Sequence, residues 1–178
     1  SWENTSVNIL VEGNTAFRCG LENEGGNNPS GWPQILTASL STHITFRGNT
    51  VYNSYGEGID AALATHITIE GNTVYDVFSV GIYLDNAQNC IVRGNLVYST
   101  GNPEFFRDGN PATGIQIATE GWPDPALAKP SRDNMIVNNI VLKTEDGFYY
   151  GSYEKGGGLI NTIVANNTFY GVRTITCQ

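Results

Sequence analysis

The stretch from His43 to Tyr98 says nearly the same thing three times: HITFRGNTVY at 43–52, HITIEGNTVY at 66–75 and the looser NCIVRGNLVY at 89–98. Its asparagines Asn49, Asn72 and Asn95 recur at a constant interval of 23 residues. A fixed period in the twenties marks a short supersecondary unit that cannot bury its own apolar face and must stack on its neighbours. Each copy is rich in Val, Ile, Thr and Tyr, turns at Gly-Asn, and lacks helical spacing of its apolar residues.

Aligning the chain on that corner asparagine extends the pattern to Asn14, Asn139 and Asn167. Two residues later stand Ala16, Val51, Val74, Val97, Val141 and Phe169; three residues earlier stand Val11, Phe46, Ile69, Val92, Ile136 and Val164. These apolar files are expected to point inward and stack as the core. Just before the asparagine come Gly13, Gly48, Gly71 and Gly94, then Asn138 and Asn166. Gly and Asn tolerate left-handed backbone, so a sharp bend is expected at each corner. Stacked asparagine amides can then bond one another up the corner as a ladder. Glu12, Arg47, Glu70 and Arg93 form an outward file of alternating charge, which in-register strands about 4.8 Å apart would pair.

A second strand per coil reads ILTASL (35–40), GIDAAL (58–63), GIYLDN (81–86), GIQIAT (114–119) and GFYYGS (147–152). Its inward residues are predicted as Leu36/Ala38, Ile59/Ala61, Ile82/Leu84, Ile115/Ile117 and Phe148/Tyr150. Insertions leave this frame at 20–33, 99–113, 119–133 and 152–158, where they can build walls around one face. In the last two coils Asn134 and Thr162 fall where Ile44, Ile67 and Cys90 sit earlier, which predicts a shift of pairing there. Together these features define an all-β, single-stranded parallel β-helix of about six coils, a single domain over 1–178. No cap closes either end, so the chain is read as part of a longer solenoid with flanking coils, or as one that self-associates end to end.

Net charge is −8 and the pI about 4.6, which argues against nucleic acid as a partner. No apolar run reaches the roughly 20 residues of a membrane span. Cys90 reads as a small buried hydrophobe. Cys19 and Cys177 sit near opposite ends of the stack, and no bridge between them is expected.

The Asn-centred coils and Gly-Ile strands resemble the right-handed parallel β-helix repeat family, the pectin-lyase-like superfold, from about Asn8 to Tyr170. The resemblance implies the right hand and an extracellular or cell-surface setting with polysaccharide as partner. It does not fix an activity, because the superfold hosts lyases, hydrolases, epimerases and adhesins. The Asn-Thr-Asp, Asp-Asp, Gly-His-Gly and Arg-Ile-Lys motifs of polygalacturonase-like members are missing. So are the Trp-Ile-Asp-His and Arg-x-x-Pro-x-x-Arg motifs of pectate-lyase-like members.

Chemistry is expected on the outer face of the GIDAAL–GFYYGS strands. One outward file reads Thr37, Asp60, Tyr83, Gln116 and Tyr149; the next reads Ser39, Ala62, Asp85, Ala118 and Gly151. Glu120 continues the diagonal beside Trp122. One coil and two residues separate Asp60 from Asp85, or roughly 8 Å of backbone, within the roughly 6.5–9.5 Å carboxyl spacing of inverting glycosidases. Asp60, Asp85 and Glu120 are thus the candidate catalytic carboxyls, and Tyr83, Arg107, Gln116, Trp122 and Tyr149 the candidate substrate-binding groups. No cofactor is required, though a calcium-assisted lyase with Arg107, Lys143 or Lys155 as base stands as an alternative. A second alternative is a structural or adhesive solenoid without activity. His43 and His66 share a file about 5 Å apart, but it continues as Asn8, Asn89, Asp133 and Asn161, which reads as a polar corner.

Overall fold

The computed structural model describes residues 5–26, 32–124, 126–127, 129–153 and 158–176. They form three parallel sheets of six strands, and each coil contributes one strand to each sheet. The first sheet holds strands such as Thr42–Arg47 and Thr68–Glu70, and the second Thr50–Ser54 and Thr73–Val77. The third runs through Gln34–Ser39, Glu57–Ala62, Val80–Asp85, Thr113–Thr119, Asp146–Ser152 and Thr174–Thr176.

The sequence files are the packing files. Val51, Val74, Val97 and Val141 are buried in line, as are Phe46, Ile69, Val92 and Ile136, and Ile59, Ile82, Ile115 and Phe148. They join one apolar core running the length of the stack. Cys90 lies in it as a buried free thiol, and burial pushes its pKa up to about 12. Cys19 is also free, while Cys177 lies outside the described residues.

Each bend takes left-handed backbone. Gly48, Gly71 and Gly94 have φ of 61–63°, and Asn138 and Asn166 take 57° and 55° at the same corner. Beside them Asn49 donates its side-chain amide to the Oδ1 of Asn72 at 3.0 Å, and Asn72 does the same to Asn95. The file continues from Asn95 to Asn139 and on to Asn167, at 2.9 Å each. Each backbone N–H in the file also donates to the next Oδ1, and the second amide proton reaches a strand carbonyl, as from Asn72 to Phe46. Burying these amides therefore leaves no donor unpaired. Outside, Arg47 meets Glu12 at 2.6 Å and Arg93 meets Glu70 at 2.5 Å.

The glycines second in three strands of the third sheet, Gly58, Gly81 and Gly114, have a packing cause. A Cβ on Gly81 would stand 2.5 Å from the Val97 side chain and 2.7 Å from the Gly114 carbonyl oxygen. Gly58 and Gly114 meet Val74 and Val141 in the same way. The backbone there approaches a neighbouring strand too closely for any side chain.

The pairing shift expected at Asn134 and Thr162 does not occur. Ile91 pairs Met135 and Met135 pairs Ile163 in unbroken register. Asn134 is accommodated in an inward position because its Oδ1 accepts the Cys90 N–H and its amide donates to the Ala87 carbonyl, both at 2.9 Å. A satisfied polar side chain costs no slip. The irregularity lies instead between Asp146 and Phe148, against the last strand.

Candidate functional site

The outer face of the third sheet has the expected register. Asp60 pairs Thr37 and Tyr83; Gln116 pairs Tyr83 and Tyr149; Asp85 pairs Ala62 and Ala118. Four of the insertions converge on it, carrying Trp32, Arg107, Glu120 and Tyr153. Two clefts result. One, of about 420 Å³, is lined by Trp32, Glu57, Tyr83, Arg107, Gln116 and Glu120. The other, of about 360 Å³, is lined by Arg107, Gln116, Asp146, Tyr149, Tyr153 and Arg173. Arg107, Gln116 and Tyr153 border both, so the clefts form one groove across successive coils.

The walls are tied to the frame. Tyr55 Oη donates to Glu104 at 2.6 Å and its ring packs on Phe105 at 5.2 Å, which seats the loop carrying Arg107. Asn86 Oδ1 accepts the Glu120 N–H at 2.8 Å, and its amide donates to the carbonyls of Glu120 and Lys129 at 3.2 and 2.9 Å. One side chain thereby holds both ends of the loop that follows Thr119.

The walls also bury what the alternating pattern placed outside. Asp60 is fully buried, and neither of its carboxylate oxygens has a hydrogen-bond partner among the described residues. Tyr83, Asp85 and Gln116 are each less than a tenth exposed. Tyr83 Oη donates a hydrogen bond to Glu120 Oε1. Glu57, which opens its strand one residue before the GIDAAL motif, borders the first cleft beside this pair.

Burial sets the protonation. It pushes the Glu57 carboxyl up to about 8, aided by the charges of Glu120 and Asp85. Asp60 is held well above the usual carboxylate range, first by burial and then by Glu57. Asp85 rises to about 7 through burial and the Glu120 charge, opposed by the neighbouring Trp122 indole, which forms no direct hydrogen bond among the described residues. Tyr83 is raised far above an ordinary phenol by burial and by its bond to Glu120. Near neutral pH Glu57 therefore favours its protonated form while Asp85 titrates, which suits donation and acceptance of a proton at this face.

Of the sequence candidates, Tyr83, Arg107, Gln116 and Glu120 border the first cleft and Tyr149 the second. Asp85, near Glu120 and Trp122, and Asp60 are buried, and none of Asp60, Asp85 and Trp122 borders either cleft. Glu57, Trp32 and Tyr153 were not singled out by sequence; the only signal was a carboxylate at a strand opening and two aromatics at the bases of insertions. Lys143 borders neither cleft, and Lys155 lies outside the described residues. His43 and His66 stack at 4.7 Å on the exposed left-handed corner. Among the described residues no three His, Cys, Asp or Glu side chains are placed to hold a metal ion, and no helix is long and apolar enough to cross a membrane.

A three-sided parallel coil stack with a loop-walled acidic groove along one sheet defines a solenoid of the right-handed β-helix class. The family model for the right-handed β-helix region matches residues 26–176, and the chain belongs to that family. Among solved structures it is similar to the A-module of Azotobacter vinelandii mannuronan C-5 epimerase AlgE4, at 15 % identity and a TM-score of 0.67, over 97 % of this chain and 43 % of that one. The A-module of the AlgE6 epimerase from the same organism matches at 13 % identity and a TM-score of 0.52, over 98 % of this chain and 56 % of that one. The chain thus spans about half the length of these neighbours, and at such identities the likeness is one of fold. No curated protein sequence matches significantly.

Proposed function

We propose that the chain binds and processes polysaccharide outside the cell, in the groove of the third sheet, by acid–base chemistry. Glu57 acts as the proton donor at the cleft surface. Asp85 and Glu120 form the accepting side, Glu120 oriented by the Tyr83 hydroxyl. Asp60 is the buried support beneath them, and Gln116, Tyr149 and Arg107 position the chain of sugars. The reading is carried by one observation: Glu57 and Glu120 line one walled groove on a solenoid, where burial raises the Glu57 carboxyl and the Tyr83 hydroxyl bonds Glu120. The fold likeness to modules named for mannuronan epimerisation supports it.

The test is a panel of neutral and acidic polysaccharides assayed for new reducing ends, unsaturated products and exchange of ring protons with solvent. Glu57→Gln is expected to abolish whichever activity appears, because the amide has no proton to give. Asp60→Asn is expected to retain it, because Asp60 is fully buried and borders neither cleft. Full turnover by Glu57→Gln would remove the proton-donor assignment.

A further inference from the structure

Arg107 carries a charge that the protein itself leaves nearly unanswered. It stands at the base of the two-residue hairpin 107–110, closed by reciprocal backbone bonds to Asn110 of 2.8 and 2.9 Å. Asp108 and Gly109 at the tip have φ of 51° and 81°, the left-handed pair that makes such a turn tight. The guanidinium lies 4.5 Å over the Trp32 ring, which in turn leans on Phe78 at 5.4 Å. Stacking on an indole fixes the plane of the fork before any ligand arrives.

Its ion pairing is looser than that of Arg47, Arg93, Arg132 and Arg173. Arg173, at the far end of the groove, is held by Glu145 at 2.7 Å and by Asp146 at 3.2 Å. Arg47 and Arg93 meet Glu12 and Glu70 at 2.6 and 2.5 Å. Arg107 has only Asp108, at 3.8 Å and with its side chain 91 % exposed, a contact that water screens almost completely. Yet Arg107 borders both clefts. A rigid, oriented and largely unpaired guanidinium at the junction of two clefts is a receptor for a planar or trigonal anion.

From this geometry we infer that Arg107 is the specificity-determining residue of the groove, and that the glycan it holds carries an anionic group, a carboxylate or a sulfate ester, seated where the two clefts meet. The inference rests on the reading of the groove as a glycan site. A net charge of −8 repels polyanions at long range, so selection for an acidic sugar falls to a local contact. Of the carboxyls that line the clefts, Glu57 is raised by burial, Glu120 is engaged by the Tyr83 hydroxyl, and Glu145 and Asp146 are paired with Arg173.

Isothermal titration with three oligosaccharides of equal length tests this: a neutral glucan, a uronate oligomer and the same glucan O-sulfated. The wild type is expected to bind a charged ligand more tightly than the neutral one, with the uronate and sulfate arms telling carboxylate from sulfate. Arg107→Gln is expected to weaken the charged ligand about 10- to 100-fold, the loss of one charge-assisted contact, and the neutral one by no more than about twofold. Trp32→Ala, which keeps the charge but frees the fork, should weaken the same ligand by a smaller factor. Equal affinity for all three ligands, or an equal loss for all three in Arg107→Gln, overturns the inference and leaves the glycan groove standing. If no saccharide binds the wild type at all, the glycan reading itself falls.

Discussion

Glu57 is a carboxyl that folding places where its charge is unwelcome, and this has a measurable signature in stability. Its pKa stands at about 8 in the folded chain against an ordinary value of 4.5. Between those values the unfolded chain has released the proton and the folded chain still holds it, so raising the pH favours unfolding. The sign is opposite to that of a salt-bridged carboxylate. Stability from this group is fully present below pH 4.5, erodes through the window and is lost above about pH 8. Each pH unit inside the window is worth up to about 1.4 kcal/mol, so the step from pH 5 to pH 7 costs about 2–3 kcal/mol through Glu57. Glu57→Gln removes this term while keeping shape and burial. The check is denaturant unfolding of both proteins at pH 5 and pH 7. The wild type should lose about 2–3 kcal/mol more than the variant across that interval. Parallel pH slopes would show that the glutamate is solvated and charged at neutral pH, and would refute the protonated-donor argument with it.

Asn72→Ala should destabilise by about 2–5 kcal/mol, because the Asn49 amide and backbone N–H both lose their acceptor inside the stack. Asn14→Ala, at the end of the same file, leaves no buried donor orphaned and should cost much less in the same denaturation series. Gly81→Ala should cost at least about 1–3 kcal/mol by overpacking against Val97 and the Gly114 carbonyl, read as a lowered melting temperature. Asn86→Ala frees both ends of the loop that carries Glu120. Hydrogen exchange should rise in 120–131 while the amides of the Val80–Asp85 strand stay protected.

The frame of this molecule was readable from sequence because its repeat is enforced by packing. A single-residue slip would turn Val74 or Ile82 toward water and break the asparagine bonds at once. The register of Asp60, Tyr83, Gln116 and Tyr149 followed from that alone. What stayed hidden was depth. Alternation says which side of a sheet a residue takes, but not whether an insertion later folds over it, so Asp60 was legible as outward and not as sealed. Glu57 was missed because the repeat was drawn from the glycine after it. The pairing shift expected at Asn134 failed because periodicity sees a polar residue in an apolar file and cannot see the carbonyl and N–H waiting for it.

Consecutive corner asparagines are 35, 23, 23, 44 and 28 residues apart along the chain, yet their amides meet at 2.9–3.0 Å every time. The molecule therefore separates its ruler from its tools. Contour length is spent sideways, and none of it enters the axial pitch, so a whole insertion can be exchanged for another without moving the anchor points above and below. A groove assembled on such a spine can be re-equipped one segment at a time.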